Sequence, residues 1–155
     1  MILTFKQKAL TLLGRYKVYD QDNNEVYDVK GKFTIPKKFV VCDAAGNELG
    51  AVKGKLIDIF PTFRIFKGGK EVGRIKKGIK IFGDKFKIDF NNWKVDGDFF
   101  GWNYTVVDQN NNIIASLSKH VINLFDVYTL NISNPEHALD VMLLAIAIDM
   151  EKANQ

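Results

Sequence analysis

The fold class this sequence predicts is a closed antiparallel β-barrel of about twelve strands around a hydrophobic C-terminal helix. Three observations predict it. Residues 141–148 form an unbroken apolar run of eight, V-M-L-L-A-I-A-I, which at helical spacing leaves no polar stripe and so no face for water. A strand–turn–strand unit recurs along the chain with matching residues at fixed positions. The rest alternates apolar with polar residues, is rich in Phe (12) and holds only 3 prolines, a composition for regular strands.

The helix sets the problem the other residues solve. It opens at Asn134, a side chain suited to capping, with Pro135 where a missing N–H costs nothing and Glu136 at the positive end of the helix dipole. Its apolar run is too short for a bilayer, which takes roughly 20 residues. A helix apolar all round must therefore be wrapped by the rest of the chain.

The wrapping begins with the repeat. Residues 16–32 (Y-K-V-Y-D-Q-D-N-N-E-V-Y-D-V-K-G-K) and 39–55 (F-V-V-C-D-A-A-G-N-E-L-G-A-V-K-G-K) align at an offset of 23. The match pairs Tyr16 with Phe39, Val18 with Val41, Asp20 with Asp43, Asn24 with Asn47 and Lys30-Gly31-Lys32 with Lys53-Gly54-Lys55. A third copy starts at Phe63 and a fourth at Tyr104. Each copy reads as a hairpin, because Asp, Asn and Gly between two β-branched or aromatic runs are turn residues. Further strands are expected at residues 80–90 and 123–132, and another hairpin at residues 93–102 around Asp96-Gly97. So many strands need closure to remove their edges, and a barrel this wide needs a filling, which the helix supplies.

A chain of 155 residues suits one domain, expected to cover 1–155. The single Cys42 excludes an internal disulfide and suits a reducing compartment. Residues 1–13 lack the features of a signal peptide, so the expected location is cytoplasmic.

With the strands, turns and helix in place, the sequence resembles the LURP-one-related proteins, a branch of the tubby C-terminal-like superfamily that includes the phospholipid scramblases. The resemblance rests on the repeated aromatic-x-V/I-x-D hairpins and the Lys-Gly-Lys strand ends. It also rests on G-D-F-F-G-W-N-Y-T-V-V-D, I-A-S-L-S-K, D-V-Y-T-L-N-I and the terminal A-L-D-V-M-L-L-A-I-A-I-D-M. It spans the chain and implies a twelve-stranded barrel around a central helix. At His120-Val121 the family more often has a basic residue followed by Trp. Relatives in the superfamily bind phosphoinositide headgroups or handle lipids with a membrane anchor. This sequence carries neither an anchor segment nor clustered cysteines for lipidation.

Catalysis is not expected. His120 and His137 belong to no metal-ligand spacing, Cys42 lies within a strand, and no nucleophile elbow, P-loop or dinucleotide fingerprint occurs. No cofactor and no metal are therefore expected. Asp126, Asn131 and Asn134 fall where scramblases carry an acidic stretch linked to calcium, but a single carboxylate points instead to strand-edge polarity and an N-cap. Asp140 and Asp149, which flank the apolar run, read as structural carboxylates.

Charge carries the functional expectation. Residues 64–87 hold nine basic residues against two acids, a local charge of +7 in a chain whose total is +4. If Phe63, Ile65, Ile75, Ile79, Ile81, Phe86 and Ile88 face inward, alternation turns the cations outward as a basic strip. Arg64, Arg74, Lys76, Lys77, Lys80, Lys85 and Lys87 are accordingly the candidate anion- or headgroup-binding residues. The expected partner is an anionic lipid headgroup, a membrane surface or another phosphorylated ligand. The alternative is a protein-interaction or scaffold domain in which the strip serves solubility. Nucleic acid ranks below both, because the aromatics alternate inward and offer no exposed stacking platform.

Overall fold

A computed structural model of the chain describes residues 1–8, 14–32, 34–55, 62–77, 86–98, 101–122 and 125–152. The strands are β1 (Ile2–Lys8), β2 (Arg15–Asp20), β3 (Glu25–Lys32), β4 (Lys38–Cys42), β5 (Glu48–Lys55) and β6 (Thr62–Lys67). They continue with β7 (Lys70–Lys77), β8 (Phe86–Asp89), β9 (Lys94–Asp98), β10 (Asn103–Val107), β11 (Ile113–Ile122) and β12 (Phe125–Ile132). A one-turn 3₁₀ helix (Pro135–His137) then leads into α1 (Ala138–Lys152).

All twelve strands join one antiparallel sheet in the order β8-β7-β6-β5-β4-β3-β2-β1-β12-β11-β10-β9. Only the β1–β12 pairing links strands distant in the chain; every other neighbour is a consecutive strand. The two end strands, β8 and β9, are themselves consecutive and joined by the Phe90–Trp93 turn, so the sheet curls into a nearly closed barrel. The predicted fold class is what the structure shows.

The helix is the core of that barrel. Every residue of the Val141–Ile148 run is at most 3% exposed. Around it pack Leu3, Val18, Val29, Val41, Val52, Ile65, Ile75, Val106, Leu117 and Leu130, one residue in two along their strands. The helix approaches the wall closely at Gly50 of β5, where a Cβ would sit 2.9 Å from Leu143 Cδ1 and 2.9 Å from the Phe66 carbonyl oxygen. Glycine there is a matter of space, since any side chain would push the helix off the wall.

Asn134 caps the helix entrance as predicted, its Oδ1 accepting from the Glu136 N–H at 3.1 Å. The first turn is 3₁₀ and the α-helix proper starts at Ala138. Asp140 is 9% exposed, and both its carboxylate oxygens are bonded. Lys67 Nζ donates to Oδ1 at 2.6 Å from the end of β6, and Asn91 Nδ2 donates to Oδ2 at 2.8 Å from the β8–β9 turn. The helix is thereby tied to the wall and to the seam. Trp93 packs edge-on to Phe90 (centroids 5.6 Å apart) and to His137 (5.4 Å), covering the same seam. At the other end of α1, burial foremost and then the Asp149 carboxylate push the phenols of Tyr16, Tyr104 and Tyr128 above their ordinary values.

Three of the four repeats turn in one way. In each, the Asp side chain accepts from the backbone N–H of the Asn four residues on, and that Asn's side-chain amide donates to the other carboxylate oxygen: Asp20–Asn24, Asp43–Asn47 and Asp108–Asn112. The residue before the Asn takes a left-handed conformation (Asn23 φ 62°, Gly46 φ 92°, Asn111 φ 65°), and a bulge precedes each Asp. The third repeat turns instead on Gly68 and Gly69, a two-residue loop with both φ positive.

One expected turn falls elsewhere. Asp96 and Gly97 lie inside β9, not at a hairpin tip, and the chain reverses after Asp98, whose Oδ1 accepts from the Gly101 N–H at 2.9 Å. Gly97 (φ 119°) sits opposite Tyr104, where a Cβ would lie 2.7 Å from the Asn103 carbonyl oxygen. The glycine serves a close approach between strands rather than a turn. Residues 80–85 and 123–124 of the two further expected strands lie outside the described residues.

Leu144→Asp or Val141→Asp places an unpaired carboxylate inside the barrel, a loss of at least several kcal/mol that exceeds much of a domain's stability; we expect insoluble protein, and a cooperative thermal melt from either variant would refute the wrapped-helix account. Hydrogen bonding holds three turn carboxylates below their ordinary range: to Asp20 chiefly from the Asn24 backbone N–H, and to Asp43 and Asp108 chiefly from the Asn47 and Asn112 side-chain amides. Because the folded values are depressed, their contribution is full above about pH 4 and fades as pH falls through them. The Tm should hold from neutral pH to about pH 5 and drop steeply below pH 4, with a smaller acid loss in Asp43→Asn.

Candidate anion-binding face

Each strand presents one residue in two to the outside of the barrel, and the ladder registers decide which of these become neighbours. On β3 to β8 they line up cations. Lys32 stands opposite Lys38, Lys38 opposite Lys53, Lys53 opposite Arg64, and Arg64 opposite Arg74, with Asp89 closing the row. Two residues along the strands a second row reads Thr62, Lys76, Lys87. On the other side of the first row lie Lys30, Val40, Ala51, Phe66 and Glu71.

The floor beneath these charges is apolar. Val40, Cys42 and Ala51 form a buried cluster on the barrel exterior, with Phe66 packed against it. The Arg64 guanidinium lies over the Phe66 ring, 5.5 Å from its centroid. Glu71 holds both arginines, at 2.9 Å from Arg74 Nη2 and 3.6 Å from Arg64 Nη1. Lys38 meets Glu48 at 3.5 Å and Lys30 meets Asp28 at 3.3 Å. Among the described residues, Lys32, Lys53, Lys76 and Lys87 have no carboxylate partner.

The structure therefore brings Arg64, Arg74, Lys76 and Lys87 to one outer face. Lys77 stands one position beyond Lys76, in register with Phe86, and Lys80 and Lys85 lie outside the described residues. Sequence reading missed Lys32, Lys38 and Lys53, which extend the face over three more strands. The Lys-Gly-Lys strand ends were the available signal: two cations separated by two positions share a face. Elsewhere, Asp126 accepts from Lys119 Nζ and Tyr128 Oη, both at 3.3 Å, as an ordinary wall carboxylate.

A sequence model of the LURP-one-related family matches residues 1–149. The chain belongs to the LURP-one-related family. It is similar to YxjI of Bacillus subtilis (strain 168), itself an uncharacterized protein, at 31% identity over 149 residues covering 96% of this chain and 91% of that one. The X-ray structure of a protein from Arabidopsis thaliana aligns with a TM-score of 0.63 over 99% of this chain and 92% of the plant chain. At 16% identity, that likeness shows a shared fold. In this LURP-one-related chain, no described helix is long and apolar enough to cross a membrane.

Like charges directly opposite across a ladder are destabilising, by about 0.2–1 kcal/mol per pair. Lys53 has a cation on both sides, so Lys53→Glu turns two repulsions into attractions. We expect it to stabilise by about 1 kcal/mol and raise the Tm by about 2–4 °C at low ionic strength. The gain should shrink at about 1 M salt, where the Debye length is near 3 Å. A lower Tm for Lys53→Glu at low salt would show that the row is not repulsive.

Proposed function

We propose that this protein is a non-catalytic binding domain that holds an acidic phospholipid headgroup, or another phosphorylated ligand, against its outer basic face. The single observation that carries this reading is the cross-strand row Lys32–Lys38–Lys53–Arg64–Arg74. A surface shaped only for solubility mixes signs, whereas this one places cations opposite cations and gives several no carboxylate. An anionic ligand relieves that repulsion on binding. The family supports a binding role without specifying the ligand.

Each Lys or Arg near an anionic membrane contributes about 1 kcal/mol, so three substitutions should remove about 3 kcal/mol, roughly two orders of magnitude in affinity. The test is co-sedimentation with phosphatidylcholine vesicles and with phosphatidylcholine–phosphatidylserine vesicles, at low and high salt. Wild type should pellet only with the acidic vesicles at low salt, and the Lys53→Glu, Lys76→Glu, Lys87→Glu triple variant should stay in solution. Equal pelleting of wild type and variant removes this reading and leaves the interaction-domain alternative.

A further inference from the structure

Two neighbouring strands of the barrel wall, β1 and β2, part along their described length. β1 and β2 pair only between Leu3–Phe5 and Val18–Asp20. Beyond Phe5, β1 continues to Lys8 in register with β12, and β2 begins at Arg15 in register with β3. Over Lys6–Lys8 and Arg15–Lys17, therefore, two neighbouring strands are each held on their far side and not to each other. A cleft of about 520 Å³ opens in this wedge. That volume is within the range of small-molecule sites, about 300–1,000 Å³.

Its lining is amphiphilic. Phe5, Tyr16 and Tyr19 supply aromatic surface, while Lys6, Arg15 and Lys17 supply charge. Tyr16 stacks on Phe5 (centroids 4.8 Å apart, 21° between planes), and Phe5 stacks on Tyr128 (4.7 Å, 9°), which Trp102 meets edge-on at 4.6 Å. The aromatic wall is thus backed by a rigid file of rings. Two of the cations already have acids: Arg15 is held by Asp28, with Nε at 2.8 Å from Oδ1, and Lys17 by Glu25. Asp28 also serves Lys30 at 3.3 Å. Three cations thus share two carboxylates, and a fourth, exposed Lys6, has no partner among the described residues.

We infer that the cleft between β1 and β2 binds an amphiphilic anion, its phosphate or carboxylate head on Lys6 and Lys17 and its apolar body against Tyr16 and Tyr19. The wedge is separate from the basic face of β3–β8, so the two sites stand or fall independently.

The experiment follows backbone amide resonances of the full chain during titration with 1-naphthyl phosphate, 1-oleoyl lysophosphatidate below its micelle concentration, and inorganic phosphate. Saturable shifts at Lys6, Tyr16 and Tyr19 are expected with both amphiphiles, and at least tenfold weaker binding of inorganic phosphate. The tighter amphiphile then tells an aromatic ligand from an acyl one. Lys6→Glu/Lys17→Glu and Tyr19→Ala should each weaken amphiphile binding at least tenfold, whereas Lys53→Glu/Lys76→Glu/Lys87→Glu should leave it unchanged. Shifts confined to the β3–β8 face, an affinity untouched by Lys6→Glu/Lys17→Glu, or no saturable shift would each overturn the inference.

Discussion

A helix with no face for water governs this fold. Every side chain of Val141–Ile148 is buried, so the helix is stable only inside something, and the sheet is open inside without the helix. Each element completes the other. Close packing then leaves little freedom: a glycine at position 50 to admit Leu143, and alternating wall residues that reach the helix without overlap. Within this apolar core Asp140 serves as a depth gauge. Bonded to Lys67 on one strand and Asn91 on the seam turn, it fixes how far the helix sits in the barrel and pins the place where the sheet's ends meet.

Because stability comes from inside, the outer surface is free to carry arrangements that would be costly in a thinner fold. Buried side chains of Leu or Ile size contribute about 1.5–3 kcal/mol each, several times what an opposed pair of surface cations costs. The basic row is affordable on that scale. Inward positions answer to the helix, and outward positions can answer to a ligand.

What was legible in the sequence was what repeats or alternates. The helix announced itself by its composition, and the Asp-to-Asn turns by their recurrence along the chain, and both hold in the structure. Gly97 misled because a glycine beside an aspartate looks the same whether it serves a turn or makes room between strands; only its ladder partner Tyr104 distinguishes them. The basic face was half legible. A count along residues 64–87 found one edge of it, but Lys32, Lys38 and Lys53 join it through ladder registers that no linear charge count reveals. The β1–β2 wedge left no trace in the sequence, because both strands alternate normally and only their failure to pair opens it.

The register also explains why a repeat of this kind produces a row of charge. Lys30 and Lys53 are equivalent in the two copies, as are Lys32 and Lys55, yet the ladder does not align equivalents. Across β3, β4 and β5, Lys30 meets Val40 and Ala51, while Lys32 meets Lys38 and Lys53. The second hairpin is thus displaced by two residues relative to the first, in the sense of the stagger that a barrel of tilted strands requires. Lys-Gly-Lys has its cations two residues apart, the same interval. The second lysine of one copy therefore lands beside the first lysine of the next, by way of Lys38, and the row continues to Arg64 and Arg74. Barrel geometry and the spacing of two lysines together turn a sequence repeat into one continuous basic surface.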